Sequence, residues 1–162
     1  YNSRELLRIR TEIKNLNKGK DFYMVGGMGH ASLVALSTSL HSKSKVICLD
    51  GDGSLLMHLG SLFSAGLFGN KNFKHILLNN NSHESVGGQK TFLKNISLKN
   101  IVKAFRYKNY YFINKKSNLE KKIKSFINEK GPSFMEVRIQ NSFPKNLPRP
   151  KNLIEIKKKF IN

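Results

Sequence analysis

The sequence predicts an α/β chain: a doubly wound, mostly parallel sheet with helices on both faces. Three observations carry that expectation. Short apolar runs alternate along the chain with longer amphipathic segments. Two of the runs, Val46–Leu49 and His75–Leu78, are almost without polar interruption, as strands buried on both faces are. The segments that follow the runs are rich in Gly, Asp and Asn, the residues of tight turns.

In chain order, Asn2-Ser3-Arg4-Glu5 reads as a capping-box start of a helix that runs to about Lys18, before Gly19. Phe22–Val25 reads as a first strand ending on Gly26-Gly27. His30–Leu40, small and uncharged, reads as a helix packed closely on the sheet. Val46–Leu49 is the second strand, Leu55–Phe68 a helix and His75–Leu78 the third strand. Beyond a polar loop come a helix at Leu98–Phe105 and a strand at Tyr110–Ile113. Ser117-x-x-Glu120 then caps a helix to about Glu129, Gly131-Pro132 breaks it, and Ser133–Ile139 is the fifth strand. Residues 1–140 therefore form one domain. Residues 141–162, with Pro144, Pro148 and Pro150, are a connector ending in a short helix over Leu153–Ile161.

Composition narrows the function. One cysteine, Cys48, excludes an internal disulfide and a cysteine-built zinc site, and fits a reducing, cytoplasmic setting. No apolar run approaches the roughly 20 residues of a membrane span. The N-terminus carries neither Met nor a leader pattern, and reads as the inside of a longer protein. The net charge of +19 invites a nucleic-acid reading. Yet 23 Lys and 18 Asn point to A- and T-rich codons as the source, and the excess lies mostly in residues 91–162. No motif that reads DNA or RNA accompanies it. The charge is therefore expected to be solvated lysine, with no nucleic-acid or membrane partner.

The chemistry concentrates in three loops at the carboxyl ends of strands, where ligands bind in such sheets. They are Gly26-Gly27-Met28-Gly29-His30, Asp50-Gly51-Asp52-Gly53-Ser54 and Asn79-Asn80-Asn81-Ser82-His83. Asp52 and Asn80 follow successive strands flanking one helix, so they can converge. A carboxylate, an amide oxygen and a loop carbonyl are hard ligands suited to Mg²⁺. Gly51 and Gly53 let the backbone approach a ligand closely.

Gly51-Asp52-Gly53, with Asn79-Asn80 after 25 intervening residues, resembles the signature of thiamine-diphosphate-dependent enzymes. The wider text, Asp21–Ser32, Cys48–Leu62 and His83–Gln89, resembles the 2-oxo acid decarboxylases that act on phosphonopyruvate, with those acting on sulfopyruvate next. The resemblance covers roughly residues 2–140, as a C-terminal, diphosphate-binding domain with the thiamine-diphosphate-binding fold. It implies thiamine diphosphate and Mg²⁺ as cofactors, with Asp52 and Asn80 as side-chain ligands of the metal and Ser82 giving its carbonyl. Gly51, Gly53 and Ser54 are implied at the diphosphate, and Gly26 and Met28 at the aminopyrimidine, with Met28 as the apolar wedge. His83 and Glu84, beside the metal loop, and His30, at the start of a helix on the cofactor side, are the candidates for lining the substrate pocket. Gly27 and Asn81 depart from the family pattern, which tends to have Ser and Gly there.

The resemblance also implies a glutamate, from a separate pyrimidine-binding domain or subunit, that activates the cofactor; no residue of this chain is assigned that role. It further implies a lost opening strand, a homo-oligomer when complete, and no catalysis by this chain alone. The expected reaction converts 3-phosphonopyruvate to phosphonoacetaldehyde and CO₂. Sulfopyruvate decarboxylation, acetolactate formation, a non-catalytic subunit and a basic nucleic-acid-binding module are the alternatives.

Overall fold

A computed structural model describes residues 1–13, 16, 20–142 and 146–161. The chain divides into two compact units, Tyr1–Met28 with Ser142–Asn162, and Gly29–Asn141.

The larger unit is built on four parallel strands: β1 (Val46–Gly51), β2 (Phe73–Asn79), β3 (Asn109–Ile113) and β4 (Ser133–Arg138). Their order in the sheet is β1-β2-β4-β3. The register pairs Gly51 with Leu78 and Asn79 with Arg138, so the carboxyl ends of β1, β2 and β4 are nearly level. Four short helices cover one face: Ala31–Leu40, Asp52–Met57, Ser61–Phe68 and Leu98–Ala104. Leu36, Leu55, Leu62, Ala65, Leu98 and Val102 pack there on Cys48, Phe73, Leu77 and Phe134. A helix at Leu119–Asn128 covers the other face, where Phe126 is fully buried against Ile113 and Met135. The expectation of a parallel sheet with helices on both faces therefore holds.

At the amino end of the sheet, Lys74 is fully buried. Its ammonium donates to the Glu129 carbonyl, just past the end of the Leu119–Asn128 helix, and to Ser133 Oγ at 3.2 Å, and lies 5.6 Å from the centre of the Phe126 ring. Burial holds its pKa below the ordinary lysine value.

Several local expectations are corrected. Phe22–Val25 is not a strand. Its neighbourhood is fixed by side chains instead, with Arg10 2.7 Å from Asp21 and the Tyr23 hydroxyl 3.2 Å from Asp21. The first helix spans Asn2–Glu12 with Tyr1 as its cap residue, so Asn2 lies inside it and no capping box forms. Lys18, Gly19 and Pro144 lie outside the described residues. The expected Leu55–Phe68 helix begins earlier, at Asp52, and breaks over His58–Gly60 into two. Asn118, at φ 59°, takes the cap position expected of Ser117. β1 is an edge strand, so Ile47 is 44% exposed and only one of its faces is well covered. The terminal helix, Leu153–Ile161, stands as expected.

Candidate functional site

The Asp50–Ser54 and Asn79–His83 loops leave adjacent parallel strands, and a third segment ties them together. Thr91 Oγ1 donates to Asp52 Oδ2 at 2.6 Å, while the Thr91 N–H donates to the Asn81 carbonyl at 3.2 Å. A hydroxyl-to-carboxylate bond this short is the charge-assisted kind. Asp52 is 1% exposed, the first residue of its helix and not a solvent-facing loop residue.

The Asn79–Ser82 stretch turns on its own side chains. Asn79 Oδ1 accepts from the Asn81 N–H at 3.0 Å, and Asn80 Oδ1 from the Ser82 N–H at 3.1 Å. These are the local bonds that make Asn a turn former. Asn81 sits at φ 57°, the region the expected Gly would occupy freely. Ser82 is buried and bridges to Lys90 as a short antiparallel pair. His83 donates its N–H to the Gln89 carbonyl at 2.8 Å. Its ring lies against Gly53, where a Cβ would meet Nδ1 at 2.3 Å. Gly53 is thus required by side-chain packing. Glu84, half-buried, opens a single 3₁₀ turn after His83.

On the other side of the same short helix, the Gly29 N–H donates to Ser54 Oγ at 3.0 Å. The His30 and His58 rings lie 4.1 Å apart, both exposed. Gly26 and Met28 belong to the smaller unit, Gly26 exposed at φ 74° and Met28 half-buried. Gly27 beside them is at φ 58°, a conformation that explains glycine where the family pattern tends to have Ser.

Behind the Asp52 turn lies a buried polar group. His75 Nε2 approaches Asp50 Oδ2 at 3.5 Å, and His75 Nδ1 meets the Tyr107 hydroxyl at 3.1 Å. Asp50 Oδ1 accepts the Gly51 N–H at 2.9 Å, fixing the first peptide of the turn. Cys48 lies with them, all three residues at most 4% exposed. Burial, with Asp50 adding to it, pushes the Cys48 thiol well up, so it stays protonated.

The structure therefore brings Asp52, Gly53, Asn80, Ser82 and His83 to one corner. Thr91, Glu136 and Arg138 join them without a sequence motif to mark them. The donors available at the corner are a buried carboxylate, amide oxygens and backbone carbonyls, with no sulfur among them. That set fits Mg²⁺.

The family profile of the thiamine pyrophosphate enzyme C-terminal TPP binding domain matches residues 8–137. The chain is 34% identical over 135 residues to a phosphonopyruvate decarboxylase of Streptomyces viridochromogenes, covering 83% of this chain and 34% of that protein. It is 33% identical over 163 residues to the sulfopyruvate decarboxylase subunit beta of Methanococcus maripaludis, covering 99% of this chain and 83% of that subunit. It thus spans about a third of the length of the phosphonopyruvate decarboxylases it matches. Among solved structures, a thiamin diphosphate-dependent enzyme of Mycobacterium smegmatis superposes with a TM-score of 0.57 at 21% identity, over 72% of this chain and 23% of that one, a likeness of fold. No helix among the described residues is long and apolar enough to cross a membrane. By its sequence, its parallel sheet and its match over residues 8–137, the chain belongs to the thiamine pyrophosphate enzymes, as their C-terminal cofactor-binding domain.

Proposed function

We propose that this chain is the diphosphate-binding part of a 2-oxo acid decarboxylase that converts 3-phosphonopyruvate to phosphonoacetaldehyde and CO₂. The observation that supports it most is Thr91, which holds the Asp52 carboxylate and the Asn81 carbonyl at once and so draws both loops to one corner. In this reading Asp52 and Asn80 hold Mg²⁺ by their side-chain oxygens and Ser82 by its carbonyl. Gly51, Gly53 and Ser54 face the diphosphate, and Gly26 and Met28 the aminopyrimidine. When bound, thiamine diphosphate supplies the electron sink for loss of CO₂. His30, His83 and Glu84 line the substrate side, where imidazoles suit an anionic 2-oxo acid. The activating glutamate comes from a pyrimidine-binding domain or subunit.

A second reading has its own support. The match to a sulfopyruvate decarboxylase β subunit extends over 99% of this chain, which favours a β-type subunit working beside a separate partner. The exposed Phe63, Leu67 and Phe68 on the Ser61–Phe68 helix offer an apolar surface for such a partner.

The test is calorimetric titration of thiamine diphosphate with Mg²⁺ into the complete protein and its Asp52→Asn variant. Asparagine keeps an oxygen for the Thr91 hydroxyl but loses the charge on the metal. Metal-dependent binding should fall by at least tenfold; equal affinities would refute the site. Assay of phosphonopyruvate against sulfopyruvate then separates the two readings.

A further inference from the structure

The carboxyl ends of β2 and β4 are joined by a closed ring of hydrogen bonds. Asn79 Nδ2 donates to Glu136 Oε1 at 2.9 Å. The same oxygen accepts Arg138 Nε at 2.8 Å. Arg138 Nη1 donates to Asn81 Oδ1 at 3.0 Å, and the Asn81 N–H donates back to Asn79 Oδ1 at 3.0 Å. Tyr110, on β3, satisfies the second carboxylate oxygen, its hydroxyl donating to Glu136 Oε2 at 2.6 Å. Asn79 is fully buried and Glu136 is 3% exposed. A carboxylate so buried needs a compensating cation and donors on both oxygens, and it has them.

Asn79 and Asn81 are the two neighbours of Asn80. With both tied into the ring, the peptides on either side of Asn80 cannot rotate without breaking it. Asn81 pays for this arrangement with a left-handed backbone that an L side chain adopts reluctantly. A glycine there would be unstrained but would offer Arg138 no acceptor. The departure from the family pattern is therefore matched by a partner across the sheet. Only a planar, forked donor serves both Glu136 and Asn81 at once; a lysine in its place would reach one.

We propose that Arg138 is a positioning residue for the metal loop: bridging Glu136 and Asn81, it fixes the direction in which Asn80 and Ser82 present their oxygens to the divalent ion. This rests on the metal-site reading above. Groups that orient ligands without touching a metal change affinity by about 10–100-fold when removed.

The experiment uses the complete protein with thiamine diphosphate and Mn²⁺ in place of Mg²⁺, with electron paramagnetic resonance to separate free from bound ion. Arg138→Met and Asn81→Gly should each weaken Mn²⁺ binding about 10–100-fold. The double variant should be no weaker than either single, because both cut the same bond. Asn81→Asp keeps an acceptor for the guanidinium and should bind at least as well as wild type. Phe126→Leu, a core change on the opposite face of the sheet, is the control for loss of stability alone and should retain the affinity. Wild-type affinity in Arg138→Met, or an equal loss in Phe126→Leu, overturns the proposal. If Arg138→Met does not fold, the contrast between Asn81→Gly and Asn81→Asp decides in the same way, equal affinities overturning it. Uptake of Mn²⁺ by wild type and by all variants alike overturns this inference alone. No uptake by wild type overturns the metal-site reading with it.

Discussion

The contact between Gly53 and His83 makes a prediction whose sign changes with background. Gly53 lies in the first turn of a helix without a left-handed backbone, so alanine there gains about 0.5–1 kcal/mol of conformational preference. Against this, the new Cβ would meet His83 Nδ1 at 2.3 Å and Cε1 at 2.9 Å. The ring must leave its place, and His83 is held by its N–H to Gln89 and by its carbonyl, which accepts from Val86 and Gly88. Overpacking of this kind costs about 1–3 kcal/mol. Gly53→Ala should therefore destabilise the wild type by up to about 2.5 kcal/mol, as the difference of the two effects. In a His83→Ala background the clash is gone, and the same change should stabilise by up to about 1 kcal/mol. Urea denaturation of the four proteins gives the coupling energy directly. Effects that add to within about 0.5 kcal/mol would refute the contact as the reason for glycine.

Two further outcomes follow from the packing. Gly66→Ala should cost about 3 kcal/mol or more, because its Cβ would lie 1.8 Å from the Phe105 carbonyl oxygen, backbone that cannot rotate away; an unchanged denaturation midpoint would contradict this. The phenols of Tyr107 and Tyr110 are pushed up by burial, Tyr110 also by its bond to Glu136, and that of Tyr23 to about 12. The folded chain thus keeps protons that the unfolded chain releases near 10.0, so this contribution to stability is complete below 10.0 and is lost as pH rises past it. Denaturation midpoints measured across that range should fall, and should fall less in Tyr107→Phe; a flat profile would contradict the assignment.

What the sequence disclosed was local. Gly51-Asp52-Gly53 and Asn79-Asn80 were legible because turn chemistry at a strand end is written in neighbouring residues. Thr91, Glu136 and Arg138 were not, since their partners lie 39 and 57 positions away and no spacing announces them. Glu136 read only as one residue of a strand; its bonds to Asn79, Arg138 and Tyr110 exist because the sheet sets β4 between β2 and β3. Phe22–Val25 has the apolar text of a strand, but strand formation needs a paired neighbour, which text does not supply. The same limit applies to β1: Val46–Leu49 looks like interior sequence, yet its place at the sheet edge leaves Ile47 exposed. The break at His58–Gly60 was hidden because both helices beside it continue one apolar pattern.

Lys74 carries a consequence for how this chain can be observed. Of 23 lysines, it is the one among the described residues whose side chain is out of water, closed in by Phe126 and the end of the Leu119–Asn128 helix. Amine-reactive reagents will modify the surface lysines at once and reach Lys74 only when that helix lifts from the sheet. Peptide-resolved labelling over time then turns a single amine into a clock for local opening, read against a background of fast reactions at the surface. A ligand that tightens the sheet would slow that clock while leaving the surface rates unchanged, which makes Lys74 a probe of cofactor loading that needs no turnover.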